Sequence, residues 1–140
     1  MNTNATTQTV GDVMTPDPIT ILAGASVQTA ARLLEENEIS GVPVVDADGA
    51  LVGVLSESDL VRARGTENLW KRWSDLAVRQ LMHAPVLTAD RSMDLQEAAA
   101  LMERTHVHRL IVVGEDQRTP IGVISTSDLV RTMVGEAEDD

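Results

Sequence analysis

The sequence predicts an α+β fold in which one β-α-β-β-α unit occurs twice in tandem. A ten-residue segment that begins at Gly53 returns at Gly122, 69 residues later, with eight of its ten positions identical. Neighbouring patterns repeat at nearly the same spacing, since Met14 and Met82 lie 68 residues apart. A fixed period that extends over a whole supersecondary unit indicates duplication. We therefore expect two repeats, at residues 10–65 and 79–134.

The elements of each repeat follow from local patterns. Ser26 is expected to cap a helix with one apolar face, and Asp94 takes its place in the second repeat, where Glu97 could complete a capping box. Asp46-Ala47-Asp48-Gly49 is a hairpin turn between two apolar strands, and the last helix should end near Gly65. The first repeat is expected to begin with a helical turn at residues 10–14. Its three strands are expected at residues 19–22, 42–45 and 51–55, and its two helices at residues 27–38 and 60–65.

Composition and charge narrow the class of protein. The chain has 140 residues, 43% of them apolar, and it contains no Phe, Tyr or Cys, so it can form a packed aliphatic core but no disulfide. No apolar run reaches the roughly 20 residues that cross a bilayer, and no secretory signal is visible. The net charge of −11 disfavours binding to a phosphate backbone. We expect a cytoplasmic protein with neither a membrane nor a nucleic-acid partner.

The remaining segments are a leader, a linker and a tail. Residues 1–9 are polar and should be flexible, and residues 135–140 form an acidic, solvated tail. In the linker at residues 66–78, Trp70 and Trp73 are spaced for one face of a short amphipathic helix. Two interpretations of this tryptophan pair stay open: rings that cover the seam between the repeats, or an exposed pair at a partner interface.

No catalytic or metal-binding constellation is visible in the sequence. It contains no nucleophile with a neighbouring base and no glycine-rich phosphate loop. His106 and His108 would point the same way on a strand, but no Cys or third zinc ligand accompanies them. The glycine after Asp46 and Asp48 comes two places too early for a calcium loop. We expect neither an enzyme nor a metal site.

The candidate site is the Ser-x-Ser-Asp corner that ends at Asp59 and again at Asp128. One interpretation is structural, because serines at a strand-to-helix junction cap the helix and an aspartate in the first turn favours its dipole. The other interpretation is a ligand site. A helix N-terminus and a Ser hydroxyl offer donors to a phosphate, while a carboxylate can accept both hydroxyls of a ribose. The residues alone leave both interpretations open.

The corner also carries a family resemblance. Glycine, two apolar residues, Ser or Thr, two variable residues and Asp, repeated after β-α-β-β, strongly resembles the cystathionine-β-synthase (CBS) domain pair, or Bateman module. Asp12-Val13-Met14-Thr15 and residues 39–45 support the resemblance, which covers about residues 10–134. The second repeat departs by having Ile111 where the first has Pro43. The resemblance implies one pseudo-twofold module that is not catalytic and senses adenosine-containing ligands.

The resemblance further implies where such a ligand would bind. In the family the corner Asp holds the ribose, the corner Ser or Thr holds a phosphate, and adenine lies against the apolar strand, in a cleft between the repeats. In the first site these roles fall on Thr20, Val42, Pro43, Val44, Ser56 and Asp59. In the second site they fall on Thr88, Leu110, Ile111, Val112, Ser125 and Asp128.

We expect the two sites to differ in affinity. Arg109, preceded by His108, stands before the second apolar strand, and in the family basic residues here often reach phosphates. The matching positions of the first repeat are uncharged. Because a phosphate chain in an acidic protein needs a nearby cation, the pocket that Arg109 reaches should be the tighter one. Arg62 and Arg131 are weaker candidates for the same phosphate-binding role, and the favoured interpretation is that they are helix-end charges that face solvent.

The expected function is adenine-nucleotide (energy) sensing by a regulatory module, with AMP, ADP or ATP as ligand and no required cofactor. S-adenosylmethionine, NAD and a cyclic dinucleotide stay open as ligands. Modules of this family usually pair into flat dimers, so a homodimer through the helices and an unidentified regulated protein are the expected partners. The alternative is a ligand-free assembly scaffold in which both corners are caps alone.

Overall fold

The computed structural model describes residues 8–139, with the backbone alone for residues 135–139. Residues 1–7 of the predicted leader and Asp140 of the predicted tail lie outside the described residues. A short 3-10 turn, Trp73–Asp75, lies in the linker between the repeats. The other elements, in chain order, are α1 (Val10–Val13), β1 (Thr15–Pro16), β2 (Ile21–Leu22), α2 (Val27–Glu36), β3 (Gly41–Val45), β4 (Leu51–Ser56), α3 (Glu57–Gly65), α4 (Glu67–Lys71), α5 (Val78–Leu81), β5 (Thr88–Asp90), α6 (Leu95–Thr105), β6 (Arg109–Val113), β7 (Pro120–Ser125) and α7 (Thr126–Asp139).

The chain divides into two packing units. The continuous unit is Ile19–Val86, and the discontinuous unit joins the described residues up to Pro18 to those from Leu87 onward. The continuous unit contains a sheet of order β2-β3-β4, and the discontinuous unit a sheet of order β1-β7-β6-β5. In both, a parallel pair is extended by an antiparallel hairpin. The predicted α+β class with two β-α-β-β-α repeats is therefore confirmed.

The continuous unit has an aliphatic core between its sheet and helices. Val27, Ala30 and Leu34 form the buried face of α2 at the predicted helical spacing. Ser26 caps this helix by accepting a hydrogen bond from the Thr29 N–H at 3.0 Å. Burial of such side chains contributes about 1.5–3 kcal/mol for each Val or Leu, so the core stabilises the unit that carries the first corner. The core also includes residues of strands, α3 and α5, among them Val42, Val44, Leu55, Ala63, Val78 and Leu81.

The discontinuous unit has a core of the same kind. Ala98 and Met102 form the buried face of α6, and Val10 of α1 is fully buried with them. Asp94 caps α6 as predicted, but its carboxylate accepts from the Gln96 N–H, at 2.7 Å, and not from that of Glu97. The helix that precedes the second corner is thus fixed by the same kind of contacts as its counterpart in the continuous unit.

Each repeat begins with a leading turn, which contains α1 and β1 in the first repeat and α5 in the second. Each leading turn packs against the hairpin of the other repeat. Although β1 belongs to the first sequence repeat, it pairs antiparallel with β7 of the second repeat and sets Thr15 opposite Val123. Likewise α5 stands at the start of the second repeat but lies in the continuous unit, where His83, two residues after α5, forms a bridge with Val54. The packing units therefore have different boundaries from the sequence repeats, because each leading turn is buried against the other repeat's hairpin.

These turns explain the duplicated glycine. A Cβ atom on Gly122 would collide with Sδ of Met14, and one on Gly53 would collide with Sδ of Met82. The carbonyl oxygen of Thr15 would lie only 3.1 Å from the Cβ on Gly122. The strand must therefore lack a side chain at the point where a methionine of the leading turn lies on it.

Both predicted hairpins form. Oδ1 of Asp46 accepts from the Ala50 N–H at 3.0 Å, and Gly49 has the positive φ of 86° that its turn position needs. In the longer second loop, the Thr119 hydroxyl, the Thr119 N–H and the Arg118 N–H all donate hydrogen bonds to the Asp116 carboxylate. These hydrogen bonds lower the pKa of Asp116 to about 2.

The linker forms two short pieces and not the single amphipathic helix that was predicted. The α4 helix ends at Arg72, whose φ of −101° and ψ of 13° interrupt it before the 3-10 turn. Trp73 packs against the core of the continuous unit, whereas Trp70 is 40% exposed. The ring centroids lie 5.1 Å apart, and the Arg64 guanidinium lies 4.3 Å from the Trp70 ring. One ring is thus a core residue and the other a surface residue.

The ends of the described chain are more regular than the sequence predicted. The carbonyl of Gln8 accepts from the Leu95 N–H at 2.9 Å, and Thr9 forms a bridge with Asp94, so these two leader residues are held in place. The α7 helix continues to Asp139, through most of the predicted acidic tail. Among the residues that the structure describes, no helix is long and apolar enough to cross a membrane.

Candidate functional site

The first corner joins β4 to α3 and is held by a capping box. Oδ2 of Asp59 accepts from the Ser56 N–H at 2.8 Å and from its hydroxyl at 3.1 Å, while Ser56 Oγ accepts from the Asp59 N–H at 3.4 Å. Oδ1 of Asp59 accepts from Arg62 Nη1 at 3.1 Å and lies 2.5 Å from His83 Nε2. The carboxylate is fully buried. It therefore starts the helix with one oxygen and holds two basic side chains with the other.

The second corner, between β7 and α7, has nearly the same geometry. Oδ2 of Asp128 accepts from the Ser125 N–H at 2.8 Å and from its hydroxyl at 3.0 Å. Oδ1 of Asp128 accepts from Arg131 Nη1 at 3.0 Å. The Asp128 side chain is 9% exposed and that of Arg131 is 71% exposed. Capping, one of the two interpretations of the corner, is therefore present in both repeats.

Capping does not occupy the whole carboxylate. In both corners the backbone N–H and the serine hydroxyl use Oδ2, whereas Oδ1 is directed at side chains. A side chain can move away from Oδ1 without unwinding the helix. Oδ1 is therefore the atom that a ligand hydroxyl could reach.

The two corners differ in what covers Oδ1. In the continuous unit the His83 side chain contacts Asp59. Thr15 is the equivalent residue in the discontinuous unit, because Thr15 pairs with Val123 as His83 pairs with Val54. Within the described chain, Asp128 accepts hydrogen bonds from Ser125 and Arg131 alone.

The two arginines are also held differently. Arg62 donates to Asp59 and, through Nη2, to the carbonyl of Leu81 at 3.2 Å, and its side chain is 48% exposed. Arg131 donates to Asp128 and is more exposed. The prediction that both arginines are simply helix charges facing solvent is wrong in part, since each of them also binds a corner carboxylate.

The structure brings Arg109 next to the second corner. Arg109 is the ladder partner of Ser125, and the carbonyl of His108 accepts from the first N–H of α7 at 3.0 Å. In the continuous unit the equivalent partner of Ser56 is Gly41, which has no side chain. The ladder partner of the corner serine is therefore an arginine in the discontinuous unit and a glycine in the continuous unit.

The residues predicted to hold adenine have buried side chains. Leu110 and Val112 belong to one core and Val42 and Val44 to the other, and Ile111 is 1% exposed. Pro43 is buried as well. In this structure these side chains are therefore buried in or beside the two cores, and β3 and β6 are paired with a strand on either side. Their role at a site stays a prediction.

The two predicted threonines lie away from the serines of the corners. Thr88 pairs with Ile111 in β5, two strands and two residues from Ser125, which corresponds to about 12 Å. Thr20 is exposed and comes one residue before β2. Neither threonine has a hydrogen bond to a corner, so their contribution to a site also stays a prediction.

His106 and His108 do not form the alternating pair considered for zinc. His106 ends α6 in a left-handed conformation with φ of 58°, and β6 begins only at Arg109. Neither histidine is therefore on a strand. Among the described residues, no group of three or more His, Cys, Asp or Glu side chains could hold a metal ion.

Sequence reasoning missed His83. It follows Met82, which served only to align the repeats, and no motif marks it. A signal was nevertheless present, because the aligned position of the first repeat is Thr15. A titratable histidine in one repeat and a small neutral threonine at the same position of the other indicate that the two corners are not equivalent.

Comparison with known proteins identifies the family. A CBS domain model matches residues 10–65 and 78–135, most of the chain, and the protein belongs to the CBS domain family. The protein MJ1426 of Methanocaldococcus jannaschii is 29% identical over 96% of this chain and 96% of its own length. A homoserine O-acetyltransferase of Methanococcoides burtonii is 37% identical over 87% of this chain, which spans only 23% of that enzyme.

Solved structures of CBS domain pairs are similar over nearly the whole chain. CBSX2 of Arabidopsis thaliana, solved in complex with AMP, is 33% identical and covers 93% of this chain and 98% of its own, with a TM-score of 0.80. The CBS domain pair of protein MJ0100, in complex with 5′-methylthioadenosine and S-adenosyl-L-methionine, is 25% identical with the same coverage and a TM-score of 0.83. This chain is therefore a CBS domain pair.

Proposed function

We propose that this protein is a non-catalytic regulatory module that binds AMP, ADP or ATP and signals through a change of shape or assembly. The main observation behind this proposal is the geometry of the Asp128 corner. There Oδ1 of the capping carboxylate binds only the exposed side chain of Arg131 among the described residues. The AMP complex of CBSX2 and the complex of MJ0100 with two adenosine derivatives support an adenosine-containing ligand. A cytoplasmic location and an unidentified regulated protein belong to the same proposal.

The ribose would bind at Oδ1 of Asp128. Its hydroxyl groups are donors, and a carboxylate is an acceptor with about four lone-pair positions. The exposed guanidinium of Arg131 can leave Oδ1 for water, and the ribose hydroxyls then replace the hydrogen bond that Oδ1 loses. Oδ2 keeps its bonds to Ser125, so the helix stays capped while the ribose is bound.

Phosphate groups would bind on the Arg109 side of the same corner. Arg109 faces Ser125 across the β6–β7 ladder, at the end of the strand from which α7 starts. A helix N-terminus favours an anion, and a guanidinium can bind phosphate oxygens with two donors. In a chain of net charge −11 this local cation is needed to offset repulsion.

The test is calorimetric titration of the full chain with AMP, ADP, ATP and S-adenosylmethionine, with thermal unfolding measured in parallel. A ligand at 100 times its dissociation constant should stabilise the protein by about 2.7 kcal/mol. Asp128→Ala should abolish binding at this corner. Arg109→Gln should weaken the binding of AMP, ADP and ATP more than that of S-adenosylmethionine, which has no phosphate.

Asp94→Ala is the matched control. It also removes a capping carboxylate from the discontinuous unit, and it should cost about 1 kcal/mol of stability. Because Asp94 lies at a different helix, the variant should keep full nucleotide binding. Flat titrations with all four ligands, or equal loss of binding in Asp94→Ala and Asp128→Ala, would refute the proposal.

A ligand-free dimerisation scaffold is the second candidate. It is favoured by the hydrogen bonds that both corners already make within the protein, and by four apolar residues of α3 and α7 that are more than half exposed, Val61, Val130, Met133 and Val134. In both proposals the chain forms a homodimer through these helices. Sedimentation should show a dimer that Met133→Glu weakens, and the two candidates differ in whether a nucleotide binds.

A further inference from the structure

We propose that His83 closes the Asp59 corner to a ribose, so that AMP fills the Asp128 corner first and the Asp59 corner with much lower affinity. This inference rests on the proposed function. It assigns to His83, a residue outside the repeated motif, control over how many nucleosides the module binds. The ligand class at both corners is a nucleoside with free 2′- and 3′-hydroxyl groups, because a carboxylate would accept from both.

The acceptor capacity of the two carboxylates is the first reason. Asp59 receives hydrogen bonds from the Ser56 N–H, the Ser56 hydroxyl and Arg62, its Oδ1 also lies 2.5 Å from His83 Nε2, and the residue is fully buried. A carboxylate has about four lone-pair positions, so a ribose hydroxyl can bind only after a present donor leaves. In the described chain Asp128 has three such donors and is partly exposed, so it retains an acceptor position.

The mobility of the donors identifies which one must leave. The Ser56 donors hold the cap of α3, and Arg62 is fixed a second time at the carbonyl of Leu81. The His83 side chain is 65% exposed and makes its contact through Nε2. Its backbone is held separately, by two hydrogen bonds with Val54 at 2.9 and 3.0 Å. The imidazole can therefore rotate away while the chain around it stays in place.

The duplicated architecture supplies the control. Thr15 and His83 occupy the same ladder position on equivalent hairpins, opposite Val123 and Val54. Exchanging the two residue types should therefore exchange the properties of the two corners. Both side chains are exposed, so the exchanges should leave the cores intact.

The experiment is calorimetric titration of the full chain with AMP, in the unaltered protein and in His83→Thr, His83→Ala and Thr15→His. We expect the unaltered protein to have one strong site and a second site at least about tenfold weaker, because the contact between His83 Nε2 and the buried Asp59 carboxylate must be broken first. His83→Thr and His83→Ala should strengthen the weak site by about tenfold, and adding Asp59→Ala should remove that gain. Thr15→His should weaken the strong site.

Three outcomes overturn the inference. Two equal sites in the unaltered protein, or an unchanged weak site in both His83 variants, would show that His83 is no barrier while AMP binding itself stands. Absence of AMP binding in every variant would refute the proposed function together with the inference. The ¹⁵N signal of the His83 imidazole, compared with Asp59→Ala, separates these cases, since it reports the His83–Asp59 contact without any ligand.

Discussion

Replacing Asp59 by alanine should cost more stability than the same change at Asp128. In Asp59→Ala the part-buried N–H of Ser56 loses its acceptor, which costs about 1–3 kcal/mol. The bonds from Arg62 and His83 add less, because both donors reach water after the change. We expect a total of about 3 kcal/mol for Asp59→Ala and about 2 kcal/mol for Asp128→Ala, which has no histidine contact and is partly exposed.

Urea unfolding measures this difference. Trp70 and Trp73 lie in the same unit as Asp59, so their fluorescence reports its unfolding, and far-ultraviolet circular dichroism reports the whole chain. With a slope of about 2 kcal/mol per molar urea, a loss of 3 kcal/mol lowers the midpoint by roughly 1.5 M. Glu57→Ala is the control, because it removes an exposed carboxylate from the same first turn and should cost under about 0.5 kcal/mol.

An Asp59→Ala variant that is destabilised no more than Glu57→Ala would contradict this prediction. That result would mean that the capping box and the two basic side chains contribute nothing measurable. A loss confined to circular dichroism, with no change in fluorescence, would also contradict it, because Asp59 belongs to the unit that carries the tryptophans.

Two further predictions concern the leading turns and the second hairpin. Gly53→Ala should destabilise the protein by about 1–3 kcal/mol in thermal unfolding, because its Cβ would displace Met82. Gly65→Ala, where a Cβ meets nothing within 4 Å, should be neutral or stabilising, and equal effects would contradict the close-approach explanation. Carboxyl NMR titration should find Asp116 still ionised well below its ordinary pKa of 3.8, with a pKa of about 2. Because the folded-state pKa is lowered, its stabilising contribution is complete above pH 4 and disappears between about pH 4 and 2. Thr119→Val should raise that pKa, since the Thr119 hydroxyl is its main cause, and an unchanged titration would refute the assignment.

The repeated elements could be predicted from the sequence because their signals are local. The cap at Ser26, the hairpin turn at Asp46 and the apolar face of α2 depend on residues a few positions apart. The corner was recognisable for the same reason, since Ser56 and Asp59 contact each other within one turn. Local spacing therefore fixed both the fold class and the centre of the candidate site.

What could not be predicted depends on contacts between distant parts of the chain. The leading turns have no sequence feature that tells which hairpin they join, so the pairing of Thr15 with Val123 was not foreseen. For the same reason His83 was overlooked, since it comes 24 residues after Asp59 in the chain. The burial of the strand residues proposed to face adenine also depends on packing that a short pattern does not specify.

The packing of each leading turn against the other repeat's hairpin has a consequence for folding during synthesis on the ribosome. The continuous unit, Ile19–Val86, has all its parts as soon as residue 86 has emerged. The segment that contains Val10 and Met14 is made earlier, yet it must wait for β7, more than 100 residues later, before its apolar side chains are covered. Because domains generally fold as units while the chain grows, the oldest part of this protein is among the last to become native.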